Sequence, residues 1–444
     1  MRFLLFILIY VVACMRVLCY NKQSCKKEVR FVDCFSVLNY QGSKKNLLEF
    51  IHKNTADYIR PGASILDIFS GTCSVGYSFK RTHRVFANDS ELYSYVISTA
   101  LLHSYQFESE RVLEKLKADY QTNRKAFRKK YLELEEQEQS YLKEENTAAL
   151  IKLYGAVPTV WNGTLSAASS GHPNYELFAS YYAGTYFGLR QAMEIDSLRY
   201  AIEAYREDAL FYPMLTALFY AMKECVFSKD GHMAQPLDPE NNQNKLLIRR
   251  KRSVVTCFCE KLRAFASPDF VNTDRDNRVY QLNFEELLKR EEIKREIDFI
   301  YADPPYTDMQ YSRYYHLLNT VVSYGYPALT KSREGYTKGL YTEGRFQSQL
   351  STKSTCLKSF GQLIDFAGGN RKNLAVSFAY PKDTAKQKTD RYVMSIDDLT
   401  AACRESFGTR HVEVVSLDYA HSNNRNSKPK KVLEYLILCR GDRG

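Results

Sequence analysis

Short apolar runs bounded by polar or turn-forming residues recur in two parts of the chain, before residue 105 and after about residue 275. Such runs, rich in Val, Ile, Leu, Phe and Tyr, are typical of buried strands. Six of them lie at residues 64–69, 84–89, 297–302, 373–380, 412–419 and 432–439. Helical patterns separate most of the runs, which predicts an α/β fold with a mostly parallel, Rossmann-like sheet. The short polar stretch between the last two runs predicts an antiparallel hairpin at the end of the sheet.

The pattern changes to a helical one between residues 105 and 274. Apolar residues recur at near-heptad spacing over residues 111–150, which predicts one or two amphipathic helices. They are Leu113, Leu116, Tyr120, Phe127, Tyr131, Leu134 and Tyr141. Residues 184–204 and 209–227 predict two more helices. We therefore expect a mainly helical insertion that interrupts one α/β domain.

The domain organisation follows from these patterns. We expect the α/β domain to consist of residues 31–104 and 275–444, with the insertion at residues 105–274. Residues 1–30 start with an arginine and an apolar run that is shorter than the roughly 20 residues a membrane span needs. This extension is like a signal-peptide core or a mis-called start, and VVAC at residues 11–14 resembles a lipoprotein processing site. We expect residues 1–30 to be dispensable and the protein to be cytoplasmic, with export or lipidation as the alternative.

Charge and cysteine content narrow the class of protein. The 444 residues carry a formal net charge of +11, which favours an anionic partner such as nucleic acid. The eleven cysteines include no C-x-x-C pair, so no zinc site is predicted and the thiols are expected to be reduced. We predict no metal ion.

Two motifs predict a cofactor that carries a nucleoside. ILDIFSGTCSVGYSF at residues 65–79 is a strand, an acid, a turn of small residues and the start of a helix, where a ligand can approach the backbone. Its spacing is not G-x-G-x-x-G, which disfavours a nicotinamide cofactor. Asp89 ends the next strand, where an acid can bind ribose hydroxyls, although it can also cap a helix. Upstream, Gly42, Ser43 and Lys44 begin a helix for which Ser43 is a natural cap.

YADPPYTD at residues 301–308 is an unusual end for a buried strand, because proline cannot continue a ladder of hydrogen bonds. An Asp-Pro-Pro-Tyr sequence in this position resembles the catalytic motif of amino-methyltransferases, which transfer a methyl group from S-adenosylmethionine (SAM) to an exocyclic amine. The Asp303 carboxylate and the Pro304 carbonyl can accept the two N–H groups of that amine. Pro305 helps to fix the carbonyl, and Tyr306 offers a ring on which the base can stack.

The order of these motifs resembles that of the alpha-group DNA adenine-N6 methyltransferases, over about residues 31–104 and 275–440. The resemblance implies a SAM-binding role for one set of residues: Tyr40, Gly42, Ser43, Lys44, Asp67, Phe69, Gly71, Thr72, Asp89, Asn283 and Phe284. In two places the chain departs from the family's pattern. Asn283 stands where the family usually has an acid, and Cys73 stands where it often has a second glycine.

Two segments are candidates for contacts with DNA. The helix or ordered loop at residues 308–322 carries Gln310, Tyr311, Ser312 and Arg313, which could cover a flipped base or hold its phosphate. A tyrosine-rich core helix is the alternative for this segment. Arg249, Arg250, Lys251 and Arg252 form a basic cluster in the insertion, which predicts contacts with phosphates.

These features and the resemblance together predict an enzyme that uses SAM to methylate the N6 amine of adenine in double-stranded DNA. Whether a cognate restriction endonuclease is a partner is left open by the sequence. An RNA amino-methyltransferase and an N4-cytosine methyltransferase are the alternatives. RNA enzymes with this motif usually lack so long an insertion, and the cytosine enzymes more often have serine in the place of Asp303. A catalytically silent nucleic-acid-binding protein is the alternative from another class.

Overall fold

The computed structural model describes most of the chain after residue 33. The described residues are 34–38, 42–165, 175–308, 310, 312–333, 335–382, 389–421 and 430–441. The predictions made for residues 1–30, Tyr40 and Tyr311 therefore lie outside the described part.

A seven-stranded sheet lies at the centre of the α/β domain. Its strands, with those of a separate two-stranded hairpin (β5 and β6), are β1 Ser64–Asp67, β2 Arg84–Asn88, β3 Arg278–Tyr280, β4 Phe299–Ala302, β5 Lys331–Ser332, β6 Gly335–Tyr336, β7 Asn373–Pro381, β8 Val412–His421 and β9 Lys430–Cys439. The order across the sheet is β3-β2-β1-β4-β7-β9-β8. Neighbouring strands are parallel, except that β9 is antiparallel to both β7 and β8. The predicted fold class and all six predicted strands are confirmed, and β3 is an addition.

Fifteen α-helices surround or extend this sheet in the described part of the chain. They are α1 Leu48–Thr55, α2 Ser74–Phe79, α3 Leu92–Leu102, α4 Ser109–Lys143, α5 Thr147–Ala156, α6 Leu177–Tyr181, α7 Leu189–Glu203, α8 Phe211–Cys225, α9 Gln243–Lys251, α10 Val254–Phe265, α11 Phe284–Leu287, α12 Glu291–Glu296, α13 Ser312–Ser323, α14 Cys356–Gly369 and α15 Ile396–Phe407. Short 3₁₀ turns occur at Lys44–Leu47, Ala56–Tyr58, Glu240–Asn242, Gln349–Ser351 and Thr409–His411.

The alternation of side chains along each strand divides the core between the two faces of the sheet. On one face, apolar residues of β1, β2, β4, β7 and β9 pack against α11, α14 and α15. On the other face, α2 and α3 contact β1, β2 and β3. The side chains on β4, β7 and β9 that point away from this apolar core include Tyr301, Ser377 and Glu434. The second face of the sheet therefore carries polar groups beside the segment that begins at Gly42.

Between α4 and α10, the described residues form helices and isolated bridges, without a named strand. The predicted amphipathic helix is α4, followed by the shorter α5. Two acids buried in this region were not predicted to be inside. Glu138 accepts hydrogen bonds from the amides of Leu189 (2.9 Å) and Arg190 (2.8 Å) at the start of α7. Asp196 accepts from Phe178 (2.8 Å) and Ala179 (2.9 Å) at the start of α6. Each carboxylate satisfies free amides at the positive end of a helix, which explains why a charge is buried there.

Candidate active site

One cavity opens at the carboxyl ends of β1, β2 and β4. It brings together residues that are up to 309 positions apart, from Gly42 to Ser351. The predicted cofactor and catalytic residues in its wall are Gly42, Ser43, Lys44, Asp67, Phe69, Gly71, Thr72, Asp89, Asn283, Phe284, Asp303, Pro304, Pro305 and Tyr306. Every predicted cofactor or catalytic residue within the described part of the chain therefore lines the same cavity. A site at this edge is what a parallel sheet provides, because the loops that follow its strands converge there.

The loop after β1 is shaped by two left-handed residues. Gly71 has φ 52° and Cys73 has φ 55°. Glycine adopts this conformation at little cost, whereas a side chain disfavours it. The backbone at Cys73 therefore explains why a glycine would suit this position, and the chain keeps the conformation with a buried cysteine instead. Asp67 holds the start of α2, since its Oδ2 accepts from the amide of Gly76 at 3.0 Å.

Asp89 binds the backbone on both sides of the cavity edge. Its Oδ2 accepts from the Gly71 amide at 2.9 Å, and its Oδ1 accepts from the Glu91 amide at 3.0 Å, just before α3. Burial raises the pKa of this carboxyl, while these backbone donors act in the opposite direction. The alternative role for Asp89, capping of the helix, is not what the structure shows: the N-cap of α3 is Glu91, and Asp89 holds the turn before it. The ribose contact stays a prediction, and it would use the remaining lone pairs of the same carboxylate.

An apolar wall faces the loop after β1. The rings of Phe69 and Phe284 meet edge to face with their centroids 5.5 Å apart, and Leu282 lines the cavity next to them. Such a wall suits a flat ring such as adenine. Asn283 precedes α11, and its backbone carbonyl accepts from the Glu286 and Leu287 amides at 3.0 Å. The family usually has an acid at the position of Asn283. In this chain an acid, Glu285, lies two residues further along and also lines the cavity.

The Asp-Pro-Pro-Tyr segment begins directly after β4. The Tyr306 ring packs among aromatic residues, with Phe378 at 5.8 Å edge to face and Tyr392 at 6.3 Å and nearly parallel. The Tyr306 carbonyl accepts from the Val393 amide at 3.2 Å. These contacts anchor a segment that has little regular structure of its own.

Asp303 belongs to a buried cluster of charges, which we call the Lys44 cluster: Lys44, Asp303, Glu434 and Ser377. The Lys44 Nζ lies 3.0 Å from Asp303 Oδ1 and 2.7 Å from Glu434 Oε1. The Ser377 hydroxyl donates to the same Glu434 oxygen at 2.7 Å. Lys44 is 4% exposed and Glu434 is 1% exposed. The sequence predicted a cofactor role for Lys44, whereas the structure places its ammonium group on the predicted catalytic carboxylate.

The protonation of this cluster follows from burial and from the charges inside it. Burial raises the pKa of Asp303 to about 7; Lys44 acts against this rise and Glu434 adds to it. Burial opposes the charge of Lys44, but Asp303 and Glu434 together keep the pKa of Lys44 well above its usual value. Lys44 therefore stays charged and favours the ionised form of Asp303. The Asp303 carboxylate can act as an acceptor near neutral pH, but it is close to protonation there.

Sequence reasoning missed Glu434. An acid inside the apolar run VLEYLILC was the available signal, because a charged residue on a buried strand needs a partner. It also missed the part of the cavity wall that residues 346–351 supply, including Phe346, Gln349 and Ser351. Those residues follow the β5–β6 hairpin and showed no motif.

The predicted DNA-contacting segment after Tyr306 forms α13. Gln310 and Ser312 line the cavity, and Arg313 is exposed next to it on the helix. Further along α13, Leu317, Leu318 and Val321 are buried. The cavity is therefore reached by Gln310, just before α13, and by Ser312 at its start, whereas the rest of the helix has a core face.

The basic cluster of the insertion is only partly at the surface. The prediction of a DNA contact is wrong for Arg250, which is 1% exposed. Its guanidinium donates to the Tyr186 carbonyl at 3.0 Å and to the Thr185 carbonyl at 2.7 Å, and so it holds the loop before α7. Arg249 donates to the Glu224 carbonyl, Lys251 pairs with Glu145, and Arg252 pairs with Glu224. A run of charges in sequence does not show which members are internal.

Two kinds of feature are absent from the described part of the chain. No group of three or more His, Cys, Asp or Glu side chains within the described ranges is arranged to hold a metal ion. In the same ranges, no helix combines the length and the apolar character that crossing a membrane requires.

Comparison with known proteins gives one family match. Residues 40–331 match the model of the family described as D12 class N6 adenine-specific DNA methyltransferase. The matched segment contains β1–β4, the insertion and the Asp-Pro-Pro-Tyr segment. Phe346 and Glu434 lie beyond it.

Individual relatives are bacterial modification enzymes. The modification methylase LlaI of Lactococcus lactis subsp. lactis is 26% identical over 410 residues, which are 90% of this chain and 54% of that protein. The Type II methyltransferase M.FokI of Planomicrobium okeanokoites is 25% identical over 355 residues, 77% of this chain and 44% of that protein. The modification methylase StsI of Streptococcus sanguinis is 23% identical over 408 residues, which are 90% of this chain and 51% of that protein. The chain spans about half the length of these relatives.

Proposed function

The chain belongs to the D12 class N6 adenine-specific DNA methyltransferases, and on that premise we propose that it transfers a methyl group from SAM to the N6 amine of adenine in double-stranded DNA. The observation that carries this proposal is the position of Asp303 to Tyr306 in one cavity with the residues around Gly71 and Asp89. The predicted acceptor of the amine and the predicted ribose contact thereby face the same space.

The residues of the cavity fit SAM. The Phe69–Phe284 wall suits the adenine ring, and Asp89 can take the ribose. The left-handed backbone at Gly71 lets the cofactor approach the main chain. When it is bound, SAM supplies the electrophilic methyl group.

The chain's own residues would activate the target amine. The lone pair of an adenine amine is delocalised into the ring, so the nitrogen is a poor nucleophile. Hydrogen bonds from both N–H groups to acceptors favour a tetrahedral nitrogen, whose lone pair can attack the methyl group. The Asp303 carboxylate can accept one and the Pro304 carbonyl the other, at positions fixed before the reaction. Lys44 orients the carboxylate and keeps it ionised. The Tyr306 ring can stack on a base that has left the duplex.

The test is methyl transfer from radiolabelled SAM to duplex DNA and to RNA of the same sequence, with the modified nucleoside identified by mass spectrometry. N6-methyladenine in the duplex alone supports the proposal. N4-methylcytosine, or label in RNA, would instead favour one of the alternative substrates. Sequencing of methylated DNA from expressing cells would give the recognition site.

The setting of the reaction is part of the same proposal. The names of the relatives, modification methylase and Type II methyltransferase, support a role in restriction-modification with a cognate endonuclease as partner. We place this activity in the cytoplasm, where a bacterial enzyme meets its DNA. Recovery of the natural protein in an exported or lipidated form would contradict that location.

Replacement of Asp89 is expected to weaken SAM binding far more than DNA binding. Loss of a hydrogen bond to a charged group costs about 1.5–3 kcal/mol, which corresponds to roughly ten- to a hundred-fold in affinity. Because Asp89 also holds the Gly71 and Glu91 amides, Asp89→Asn is the matched control for Asp89→Ala, since its carbonyl can still accept from one of them. Calorimetric titration of each variant with each ligand measures the effect. Unchanged SAM affinity in both variants would place the ribose elsewhere.

Neutralisation of Lys251 and Arg252 is expected to lower the affinity for all duplexes alike. Phosphate contacts act through counterion release, so removing one cation from a phosphate reduces the slope of log affinity against log salt by about 0.9. The double variant Lys251→Gln, Arg252→Gln leaves the buried Arg250 intact, so the fold is kept. Fluorescence anisotropy over a range of KCl concentrations is the measurement. An unaltered slope would assign both residues to their ion pairs with Glu145 and Glu224 alone.

A further inference from the structure

Two arginines meet at one tyrosine ring beside the cavity. The guanidinium carbon of Arg313, on α13, lies 5.7 Å from the centroid of the Tyr341 ring, and that of Arg345 lies 4.7 Å from it. The ring is buried, with 8% exposure, and it provides one surface on which both guanidinium groups pack. The segment after the β5–β6 hairpin and the start of α13 therefore bring two positive charges to one place.

These charges have no acidic partner among the residues that the structure describes. Neither Arg313 nor Arg345 forms an ion pair there, whereas several other arginines of this protein pair with a glutamate. Arg345 is oriented by donation from its Nη1 to the Thr342 carbonyl at 2.6 Å and to the Thr330 hydroxyl at 3.2 Å. Its Nε is buried and has no acceptor within the described part of the chain. Burial and the charge of Arg313 both lower the pKa of Arg345, which is the sign of two like charges held close together.

The pair lies at the rim of the cavity that contains Asp303. Arg345 is followed by Phe346, whose carbonyl accepts from the Ser312 hydroxyl at 3.0 Å and from the Gln310 amide at 3.4 Å. Gln310, Ser312 and Phe346 all line the cavity. Phe346 is 42% exposed, which is unusual for a phenylalanine and puts part of its ring at the entrance. Each arginine is thus one residue away from the cavity wall.

Two oriented guanidinium groups without a carboxylate form a binding site for an oxyanion. A bound anion would reduce their mutual repulsion and would accept from guanidinium N–H groups that have no carboxylate partner among the described residues. Near a site that acts on a base in DNA, the available oxyanion is the backbone phosphate next to that base, since enzymes that rotate a base out of the duplex hold the flanking backbone.

We propose that Arg313 and Arg345 together bind one backbone phosphate of the DNA strand that carries the target base, at the entrance of the cavity. This inference rests on the proposed function, and it adds Arg345 and the segment around it, which had no assigned role. The arginine pair fixes the position of the strand, and the sequence is read elsewhere.

The test compares Arg345→Gln and Arg313→Gln with Arg404→Gln, which removes the same charge from an exposed position on α15. Affinity for a duplex that contains the mapped methylation site is measured by anisotropy against KCl concentration. Each rim variant is expected to bind about ten-fold more weakly and to lower the salt slope by about 0.9, while Arg404→Gln matches the parent. Arg345→Lys keeps the charge, so it should keep the salt slope. Its affinity should fall only because lysine lacks the paired N–H donors of a guanidinium group.

Neutral methylphosphonate groups, placed one at a time around the target adenine, identify the phosphate. The parent enzyme should lose affinity at one position, and Arg345→Gln should be insensitive to that substitution. Weaker binding of SAM with unchanged duplex binding would overturn the proposal, because the anion would then be the SAM carboxylate. Full duplex affinity and an unchanged slope in both variants would also overturn it. If the parent methylates no duplex at all, the proposed function itself fails, which is a different outcome.

Discussion

Asp303→Ala is expected to abolish methyl transfer while SAM and duplex DNA still bind. The carboxylate matters most as the amine nitrogen changes its hybridisation, so its loss should lower kcat more than it raises KM. Removal of one preorganised hydrogen-bond partner of this kind costs on the order of a hundred- to a thousand-fold in rate. Single-turnover transfer of labelled methyl groups, with both ligands saturating, measures the chemical step directly.

Asp303→Asn is the matched control for this result. The amide oxygen can still accept a hydrogen bond, but the charge is gone and the NH₂ group can turn toward the base. We expect low activity in this variant and none above background in the alanine variant. A residual rate within a few-fold of the parent in Asp303→Ala would show that the Asp-Pro-Pro-Tyr segment is not the catalytic motif.

Lys44→Met is expected to move the acid limb of the pH–rate profile to higher pH. Asp303 must be ionised to accept, so kcat/KM falls as the pH drops through its pKa of about 7. Lys44 lowers that pKa, and its removal therefore raises it further. At neutral pH the rate should fall roughly ten- to a hundred-fold, in line with the loss of a charge-assisted hydrogen bond of about 1.5–3 kcal/mol. Part of this loss should return as the pH is raised.

Glu434→Gln provides the opposite shift in the same cluster. Glu434 raises the pKa of Asp303, so its neutralisation should move the acid limb to lower pH. Two other titratable groups interact with Asp303, namely Tyr301 and the buried Asp67, whose pKa is also raised to about 7, and neither is replaced in these variants. The measurement is the profile of kcat/KM from about pH 5.5 to about pH 9 for both variants, a range that brackets the pKa of Asp303. Melting temperatures of the variants check that they fold. Equal shifts in the same direction would show that the cluster acts on structure and not on the charge of Asp303.

The sequence was sufficient for the elements whose signal is local. Each of the six predicted strands begins and ends within two residues of an observed one, because apolar runs with turn residues on both sides define a buried strand. The short β3, Arg278–Tyr280, has too few residues to show a period and was not predicted. The loop after β1 and the Asp-Pro-Pro-Tyr segment were recognised because their chemistry is confined to a few consecutive residues.

Contacts between distant segments were beyond such reasoning. Lys44 and Glu434 are 390 positions apart, and only the order of strands in the sheet makes them neighbours. The same holds for Arg313 and Arg345, which meet through the path of the chain after α13. Arg250 is an error of the opposite kind, because a local pattern suggested too much. Four consecutive basic residues suggested an exposed surface, although Arg250 is buried and donates to backbone carbonyls in the loop before α7.

The position of β9 makes the timing of synthesis relevant to activity. This strand lies between β7 and β8, so β8 has no partner in the sheet until β9 has been translated. The residues around Gly71, Asp89 and Phe284 are translated before β4, whereas the carboxylate that completes the Lys44 cluster arrives with residue 434. Pairing across such separations forms late and slowly. The Lys44 cluster is therefore among the last features of the α/β domain to form, although its lysine belongs to one of the first segments to be translated.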